Sequence, residues 1–282
     1  MECVNKKQRF TAPIPFILMV LLIDSVFSAE KIAHKDWTVT FSLGTFHGPE
    51  YEGSDKAHST ASPNFEVVWK DKIFLNQDHL GINYYENNFL SLSAIIAEGD
   101  ERRESLDNSL TGLGDIDAST TLTLGAEFEL GLFVSKTNLT LHSGGTDGIQ
   151  AFIGLETGFP LRMLTGSLEL SGIELMEESD DLSFTGPVVI VGLSMDWADD
   201  EYTSAFFSVD EGQSARSGLP PYTANAGFKS VNLEFGVLYP VNESWSLLGL
   251  AGYTKFIGDA KDSPIVKDDV NVFVGGFVNY HF

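Results

Sequence analysis

The sequence predicts an all-β fold, in which antiparallel strands connected up and down close into a transmembrane β-barrel of about 12 strands. Three observations predict it. Apolar and polar residues alternate along most of the chain, and no apolar run beyond the amino terminus is long enough for a membrane helix. Short joints between the predicted strands also alternate with long ones. Side chains of a strand alternate between faces, which suits a wall between hydrocarbon and a wet interior. Only helices and closed barrels satisfy every backbone group in lipid, so such a chain would cross a membrane as a barrel.

The amino terminus has the layout of a secretory signal peptide. Three basic residues precede an apolar stretch over residues 13–27, and small or short residues lead up to Ser28. We expect residues 1–28 to be removed by cleavage before Ala29. Residues 29–282 would then form a single barrel domain, because no shift in composition suggests a second one.

Charge and cysteine content exclude several classes of function. The full chain has a formal net charge of −23, and loss of a leader with three basic and two acidic residues changes it to −24. This charge argues against nucleic acid as a partner. The leader also contains Cys3, the single cysteine, so the mature chain has no disulfide, thiol nucleophile or cysteine-bound metal.

The first strand follows the leader at Trp37–Gly44, where large apolar residues alternate with small or polar ones. Further strands are predicted at residues 59–69, 80–85 and 89–97. The segment 72–75 is too short to span a bilayer, and it leaves the strand number at 12, or at 14 if it belongs to a hairpin.

The longest alternation lies between Asp115 and Val134, and from Ile116 to Leu132 its apolar residues all fall on one face. It is far longer than an average globular strand of about five or six residues, and it predicts a tilted strand that projects beyond the bilayer. The remaining strands are predicted at residues 137–141, 150–159, 164–175, 187–196, 230–239, 245–256 and 270–282.

The joints between these strands differ in length in a regular way. Short turns are predicted at residues 135–137, 160–162 and 241–243, and longer, solvated loops at residues 48–58, 98–115, 176–186, 209–222 and 258–269. Outer-membrane barrels have short periplasmic turns and long external loops. With both termini in the periplasm, the strand number must be even.

The last strand carries a second signal. Val278, Tyr280 and Phe282 share its wholly apolar face, and the chain ends on the aromatic ring of Phe282. This ending resembles the terminal assembly signal of Gram-negative outer-membrane barrels. The alternative is an edge strand of a soluble β-sandwich.

Three separate stretches carry a more specific pattern. They lie at residues 48–54, 215–222 and 253–266, and their distinctive residues are Pro49, Tyr51, Gly53, Ser54, Ser217, Gly218, Tyr222, Gly258, Asp259, Asp262, Ser263 and Pro264. Together they resemble the MipA/OmpV family of outer-membrane proteins, also known as the MltA-interacting protein family. The chain departs from the family pattern at Lys255-Phe256, where Arg-Leu is common.

The resemblance implies a non-enzymatic protein of the Gram-negative outer membrane, surrounded by lipids and lipopolysaccharide. It also implies that some members scaffold a murein hydrolase and a murein synthase, although short periplasmic turns would offer such partners little surface. The motif residues would be structural or partner-binding. For Asp259, Asp262 and Ser263 we favour a structural role, because Asp and Ser hydrogen-bond the backbone of tight loops.

Two other functions remain open. A small-solute channel would favour cations if Glu127, Glu129, Glu156, Glu169 and Glu234 lined an open lumen. A lipid hydrolase needs a serine activated by a histidine, but the pairs His58-Ser59 and His142-Ser143 place neighbouring side chains on opposite faces. An oxygen-rich segment at residues 196–201 could hold a divalent cation, yet no spacing matches a calcium loop. We therefore predict no catalytic residue, cofactor or metal site.

Overall fold

A computed structural model of the chain describes residues 36–161 and 186–282. Twelve antiparallel strands form a closed barrel in which each strand pairs with its sequence neighbours and the first pairs with the last. The strands are β1 (Trp37–Pro49), β2 (Ala57–Trp69), β3 (Ile73–Asn76), β4 (His79–Glu86), β5 (Leu90–Glu98), β6 (Thr120–Leu130), β7 (Phe133–Ser143), β8 (Gly148–Pro160), β9 (Val188–Ala198), β10 (Gly227–Pro240), β11 (Trp245–Phe256) and β12 (Val270–His281). The predicted leader, residues 1–28, lies outside the described residues.

Closure of the barrel depends on the pairing of β1 with β12, which runs from Thr40 opposite His281 to His47 opposite Val274. The start of β1 and the end of β12 therefore lie at the same end of the barrel, which we name the terminal end; the opposite end is the loop end. The predicted closed, antiparallel, all-β barrel of 12 strands is confirmed.

The membership of the twelve strands differs from the prediction. The short segment that we excluded contains β3, whose four residues pair with β2 and whose first three pair with β4. A hairpin that raises the number to 14 is therefore wrong. The predicted strand at residues 164–175 lies outside the described residues, and β8 pairs directly with β9 without it. Backbone pairing, which alternation does not report, decides whether so short a segment is a strand.

The turn after β6 was also placed wrongly. We predicted one strand up to Val134 and a turn at residues 135–137, whereas the turn consists of Gly131 and Leu132. Gly131 has a φ of 72°, which glycine adopts without steric cost. A two-residue turn preserves the period of two, so the alternation continues through it and hides the break.

The long joint before β9 was predicted among the external loops, at residues 176–186, of which the structure describes only Gly186. Pro160 at the end of β8 pairs with Val188 at the start of β9, and both lie at the terminal end, level with Leu238 just before the turn to β11. The connection over residues 161–187 therefore begins and ends at the terminal end.

The two faces of β12 show how the barrel wall separates outward-facing from inward-facing side chains. Val272, Val274 and Val278 face outward and are about half exposed, while Phe273 and Phe277 face inward and are buried. At the terminal end the outer surface carries aromatic residues in mutual contact, as membrane barrels do at the lipid interface. These residues are Trp37 with Trp69, Phe41 with Phe282, Phe89 with Phe128, and Trp245 with Tyr280.

Part of the lumen is apolar. A cluster of buried side chains, named here the lumen cluster, fills it beside β9 to β12 and β1; its members are Phe46, Val188, Ile190, Leu238, Leu248, Leu250, Phe273 and Phe277. The wet interior expected from the sequence is therefore restricted to other parts of the lumen. A barrel of this size is narrow enough for side chains to occupy much of its interior.

Candidate functional site: the loop-end cap and the cavity beneath it

The connections at the loop end fold into a compact layer that we name the loop-end cap, made of residues 50–56, 99–119, 199–226 and 257–269. Two buried apolar clusters hold it together. Our prediction of a solvated loop after β5 is wrong, because Leu110 and Leu113 there are 0% and 3% exposed. The cap is thus a small packed unit on top of the barrel.

Three short helices within the cap were missed by the sequence reasoning: α1 (Asp200–Phe207), α2 (Glu211–Ser217) and α3 (Gly258–Asp262). A sequence signal existed for α2. Asp210 and Gln213 form a reciprocal capping box at its start, and Gly218, with a φ of 77°, ends it. No helix in residues 36–161 or 186–282 is long and apolar enough to cross a membrane.

The first motif stretch ties the connection after β1 to the rest of the cap. The hydroxyl of Tyr51 lies 2.9 Å from the Ser109 hydroxyl and donates to the Ile265 carbonyl at 3.4 Å. The Asn271 side chain accepts from the Gly53 amide and donates to the Ser54 carbonyl, at 2.8 and 2.9 Å. Pro49, the last residue of β1, lines the cavity below.

The second and third motif stretches meet at Asp259. Its carbonyl accepts a hydrogen bond from the Tyr222 hydroxyl at 2.8 Å. Its carboxylate accepts both the side-chain and backbone N–H groups of Asn225, which lower the pKa of Asp259. The hydroxyl of Ser263 donates to the Phe207 carbonyl at 2.6 Å. These bonds join α1 and α3 to the segment around Tyr222 and Asn225, which lies between them in the sequence.

The remaining motif residues lie at the ends of helices or on the surface. The Ser217 hydroxyl donates to the Gln213 carbonyl, and the Pro264 carbonyl accepts from the Lys267 ammonium group. Gly258 has a φ of 57° at the start of α3, and Asp262 at the end of α3 is exposed. The structure therefore brings residues of all three stretches together at the loop end, where they contact one another within the cap.

Substitution of Gly53 tests how much the cap depends on the first motif. Gly53 has a φ of 83°, and a Cβ there would lie 2.7 Å from the Val266 side chain. We expect Gly53→Ala to destabilise the cap by about 1–3 kcal/mol, through backbone strain and overpacking. Limited proteolysis of the folded barrel measures the effect. The matched control is Gly114→Ala, since Gly114 has a φ of 82° but nothing within 4 Å; equal proteolysis of both variants would contradict the packing argument.

An ion pair between Lys56 and Asp107 makes the cap sensitive to acid. The ammonium group lies 2.6 Å from the carboxylate, which also accepts the Ser109 amide. These two donors, the lysine first, lower the pKa of Asp107 to about 2. The unfolded carboxyl binds its proton near 3.8, so the stabilisation is complete above that pH and is lost as the pH falls through about 2.

We therefore expect pepsin to cut the cap faster as the pH falls through this window. In Asp107→Asn, which cannot titrate, the cap should be cut faster than in the wild type above about pH 3.8, and this difference should shrink as the pH falls through about 2, because the wild-type carboxyl is then protonated as well. An identical pH dependence in both proteins would show that Asp107 is not the group responsible.

A cavity of about 920 Å³ lies in the lumen beneath the cap. Its upper wall contains a buried ion pair, in which the Lys229 ammonium group donates to Glu52 at 2.6 Å. The same ammonium group lies 5.1 Å from the centre of the Tyr202 ring, and the Tyr202 hydroxyl donates to Asp100 at 2.8 Å. Burial raises the pKa of Glu52, and the charge of Lys229 opposes this shift.

Several serine and histidine side chains lie within hydrogen-bonding distance of each other; the pairs include Ser119 with His142, Ser246 with His281 at 3.0 Å, and Ser59 with His47 at 2.9 Å. His142 lies with Nδ1 at 2.9 Å from the Ser119 hydroxyl and with Nε2 at 2.9 Å from the Gln150 side-chain oxygen. Ser119 is 2% exposed and does not line the cavity, so a substrate has no access to it. A lipid hydrolase, the alternative left open above, would need a serine nucleophile that a substrate can reach.

The glutamates proposed for a channel have different surroundings. Glu127 and Glu156 flank the buried Lys136, at 3.6 and 3.5 Å, and Glu234 lines the cavity. Glu129 is exposed on the strand β6 near the terminal end, and Glu169 lies outside the described residues. Across residues 36–161 and 186–282, no group of three or more histidines, cysteines, aspartates or glutamates is arranged to hold a metal ion.

Comparison with known proteins identifies the family. A family model described as MltA-interacting protein MipA matches residues 41–282, which is most of the chain. This chain belongs to the MipA family. Relatives include the outer membrane protein Omp26La of Vibrio anguillarum, 26% identical over 81% of this chain and 80% of the relative. Like this relative, the MipA-family barrel described here is an outer-membrane protein.

Two further relatives match over shorter regions. The outer membrane protein OmpV of Vibrio cholerae is 32% identical over 36% of this chain and 38% of its own length. The MltA-interacting protein of Escherichia coli K12 is 30% identical over 34% of this chain and 39% of its own length. The chain therefore spans well under half of these two relatives in the matched regions.

Solved structures resemble the MipA-family barrel only loosely. A loop-deletion mutant of OmpT from Vibrio cholerae has a TM-score of 0.38 and 8% identity, with 88% of this chain and 98% of that chain covered. A bacterial polysaccharide outer membrane secretin has a TM-score of 0.43 and 10% identity, with 86% and 98% covered. The fold assignment accordingly rests on the strand pairing of this chain.

Proposed function

We propose that this protein is a non-enzymatic scaffold of the outer membrane, which holds a murein hydrolase and a murein synthase together at the terminal end of the barrel. Membership of the MipA family, with a relative named for its interaction with MltA, is the observation that carries the proposal. The terminal end would face the periplasm, where murein lies, as in other barrels with short periplasmic turns.

The length of the connection between β8 and β9 answers the objection that short periplasmic turns offer a partner little surface. The described turns at the terminal end are short, such as Gly131 with Leu132, and they offer a partner little surface. The connection from 161 to 187 begins and ends there as well, and it is 27 residues long. We propose that this connection supplies the contact with the murein enzymes.

A pull-down tests both parts of the proposal. The barrel, folded in detergent, serves as bait for solubilised envelope of the same organism, and an unrelated barrel is the control. We expect specific recovery of a murein hydrolase or synthase. A variant in which residues 164–183 are replaced by a glycine-serine linker of equal length should lose it, whereas Arg216→Ala in the cap should keep it.

Recovery of nothing beyond the control barrel would overturn the scaffold, and single-channel conductance would then decide whether the barrel is a channel. Recovery that survives replacement of residues 164–183 would keep the scaffold but move the contact to another part of the terminal end. Folding of each variant is checked by the heat-dependent shift of the barrel on a denaturing gel.

A further inference from the structure

The cavity beneath the loop-end cap has an acidic wall. Of the described residues that line it, eight are acidic and three are basic. Two of the three basic residues are already neutralised: Lys229 donates to Glu52 at 2.6 Å, and Arg103 lies 2.7 Å from Asp117 in the cap. The third, Arg102, donates to the Phe206 carbonyl at 2.6 Å within the cap.

Deeper in the cavity, two carboxylates form no ion pair within 4 Å among the described residues. Asp196 accepts hydrogen bonds from Ser230 and Asn232, both at 2.8 Å, and these donors are neutral. Glu234, two residues further along the inner face of β10, is 9% exposed, and the charge of the buried Lys136 acts on it only from beyond ion-pair distance. A buried carboxylate without a close counter-charge is costly, so a bound cation would stabilise this wall.

Aromatic rings line the same cavity. Phe46 and Phe273 stack with their ring centres 5.3 Å apart, and both belong to the lumen cluster as well as to the cavity lining. They place the cavity directly against the apolar part of the lumen. The faces of aromatic rings attract ammonium groups, and their apolar surface accepts alkyl or aromatic groups of a ligand.

Size and access also fit a ligand. A volume of about 920 Å³ is within the range of about 300–1,000 Å³ that accommodates drug-sized molecules. Ser105 and Asp115 of the cap line the cavity and are exposed, so the cavity reaches the surface at the loop end. A metal ion is a poorer fit, because the described residues contain no cluster of three or more ligating side chains.

We propose that this cavity binds an organic cation of drug size, with an ammonium group at Glu234 and Asp196 and an apolar body against Phe46 and Phe273. A neutral ligand would leave the negative charges of both carboxylates uncompensated. An anion would be repelled by them. The site is independent of the scaffold role, since it opens at the opposite end of the barrel.

Three probes that share one skeleton test the proposal: 4-phenylbutylammonium, 4-phenylbutanol and 4-phenylbutanoate. Each is titrated calorimetrically into the whole barrel in phosphocholine nanodiscs, with empty nanodiscs as the blank. We expect the ammonium compound to bind at least about tenfold more tightly than the alcohol, as one charge-assisted hydrogen bond predicts. The carboxylate should bind more weakly than the alcohol.

Variants locate the binding site. Glu234→Gln and Asp196→Asn should each abolish most of the preference for the ammonium compound over the alcohol. Both remove a charge without a large change of shape, and Glu234→Gln relieves an uncompensated buried charge, so we expect both to fold. Glu243→Gln, in the exposed turn between β10 and β11, is the matched control and should bind like the wild type.

Equal affinity for the ammonium compound and the alcohol would overturn the proposal. A preference that is identical in Glu234→Gln, Asp196→Asn and Glu243→Gln would also overturn it, since the cation would then bind elsewhere. So would a lack of saturable binding at probe concentrations up to about 10 mM, which corresponds to negligible affinity.

Discussion

Replacement of Lys229 by methionine is expected to destabilise the folded barrel by about 2–3 kcal/mol at neutral pH. Removal of one partner of a buried ion pair typically costs about 3–5 kcal/mol, because it leaves the other charge uncompensated. Lys229 is 6% exposed in its side chain, but Glu52 is 36% exposed, so we reduce the expected cost. Urea unfolding in phosphocholine vesicles, followed by tryptophan fluorescence, measures it.

Lys70→Met is the matched control for this loss. Lys70 lies in the turn after β2, is half exposed and approaches Asp36 only to 3.9 Å. Exposed pairs of this kind contribute about 0–1 kcal/mol, so the control should be nearly neutral. A double variant, Lys229→Met with Glu52→Gln, should recover most of the lost stability, because no charge is then left unpaired.

The same variant should depend on pH in a defined direction. Burial raises the pKa of Glu52 above its ordinary 4.5, so the folded state binds this proton more tightly than the unfolded state. Stability from that proton is present below the ordinary value and is lost as the pH rises through the raised value. The deficit of Lys229→Met should therefore shrink in acid; a deficit that is constant with pH would exclude Glu52 as its cause.

Deletion of Phe282 is expected to reduce the ratio of folded to unfolded barrel in the outer membrane by roughly fivefold or more. The Phe282 amide donates to the Val39 carbonyl at 3.0 Å, and its ring contacts Tyr280 and Phe41 edge to face, at 4.6 and 5.7 Å. Two such ring pairs contribute about 0.5–1.5 kcal/mol each, which corresponds to this change in the ratio. The heat-modifiable band of outer-membrane fractions measures it.

Two substitutions separate a recognition signal from simple packing. Phe282→Tyr retains the ring and should assemble normally. Phe133→Ala removes another exposed aromatic side chain at the same end, from β7, and should reduce assembly less than the deletion. If Phe282 with Val278 and Tyr280 forms an assembly signal, the loss in cells should exceed the loss on refolding in vitro. Equal losses in both settings would contradict that role.

Local residue patterns were sufficient to predict which side chains of the barrel wall face outward. The period of two along β12 predicted which side chains face outward, because a strand places alternate residues on opposite faces whatever surrounds it. Val272 and Val274 are exposed and Phe273 is buried, as that alternation requires. The same period concealed the turn at Gly131, since a two-residue turn keeps the alternation in phase.

Short segments were beyond this reasoning. The strand β3 has four residues, and it exists because β2 and β4 offer backbone partners on both sides. Its inclusion, together with the direct pairing of β8 with β9, placed the first and last residues of the connection between these two strands at the terminal end. Hydrogen bonding between distant segments decides both points, and no local pattern encodes it.

The sequence by itself predicted a closed antiparallel barrel in the outer membrane and the family to which the chain belongs. Only the tertiary structure decided which segments form the twelve strands, and which motif and acidic residues lie close together. Tyr51, Tyr222 and Ser263 are far apart in the chain but share one cap. Glu234 is an ordinary strand residue in the sequence, and it becomes a candidate ligand-binding group because folding buries it beside the cavity without a close ion pair.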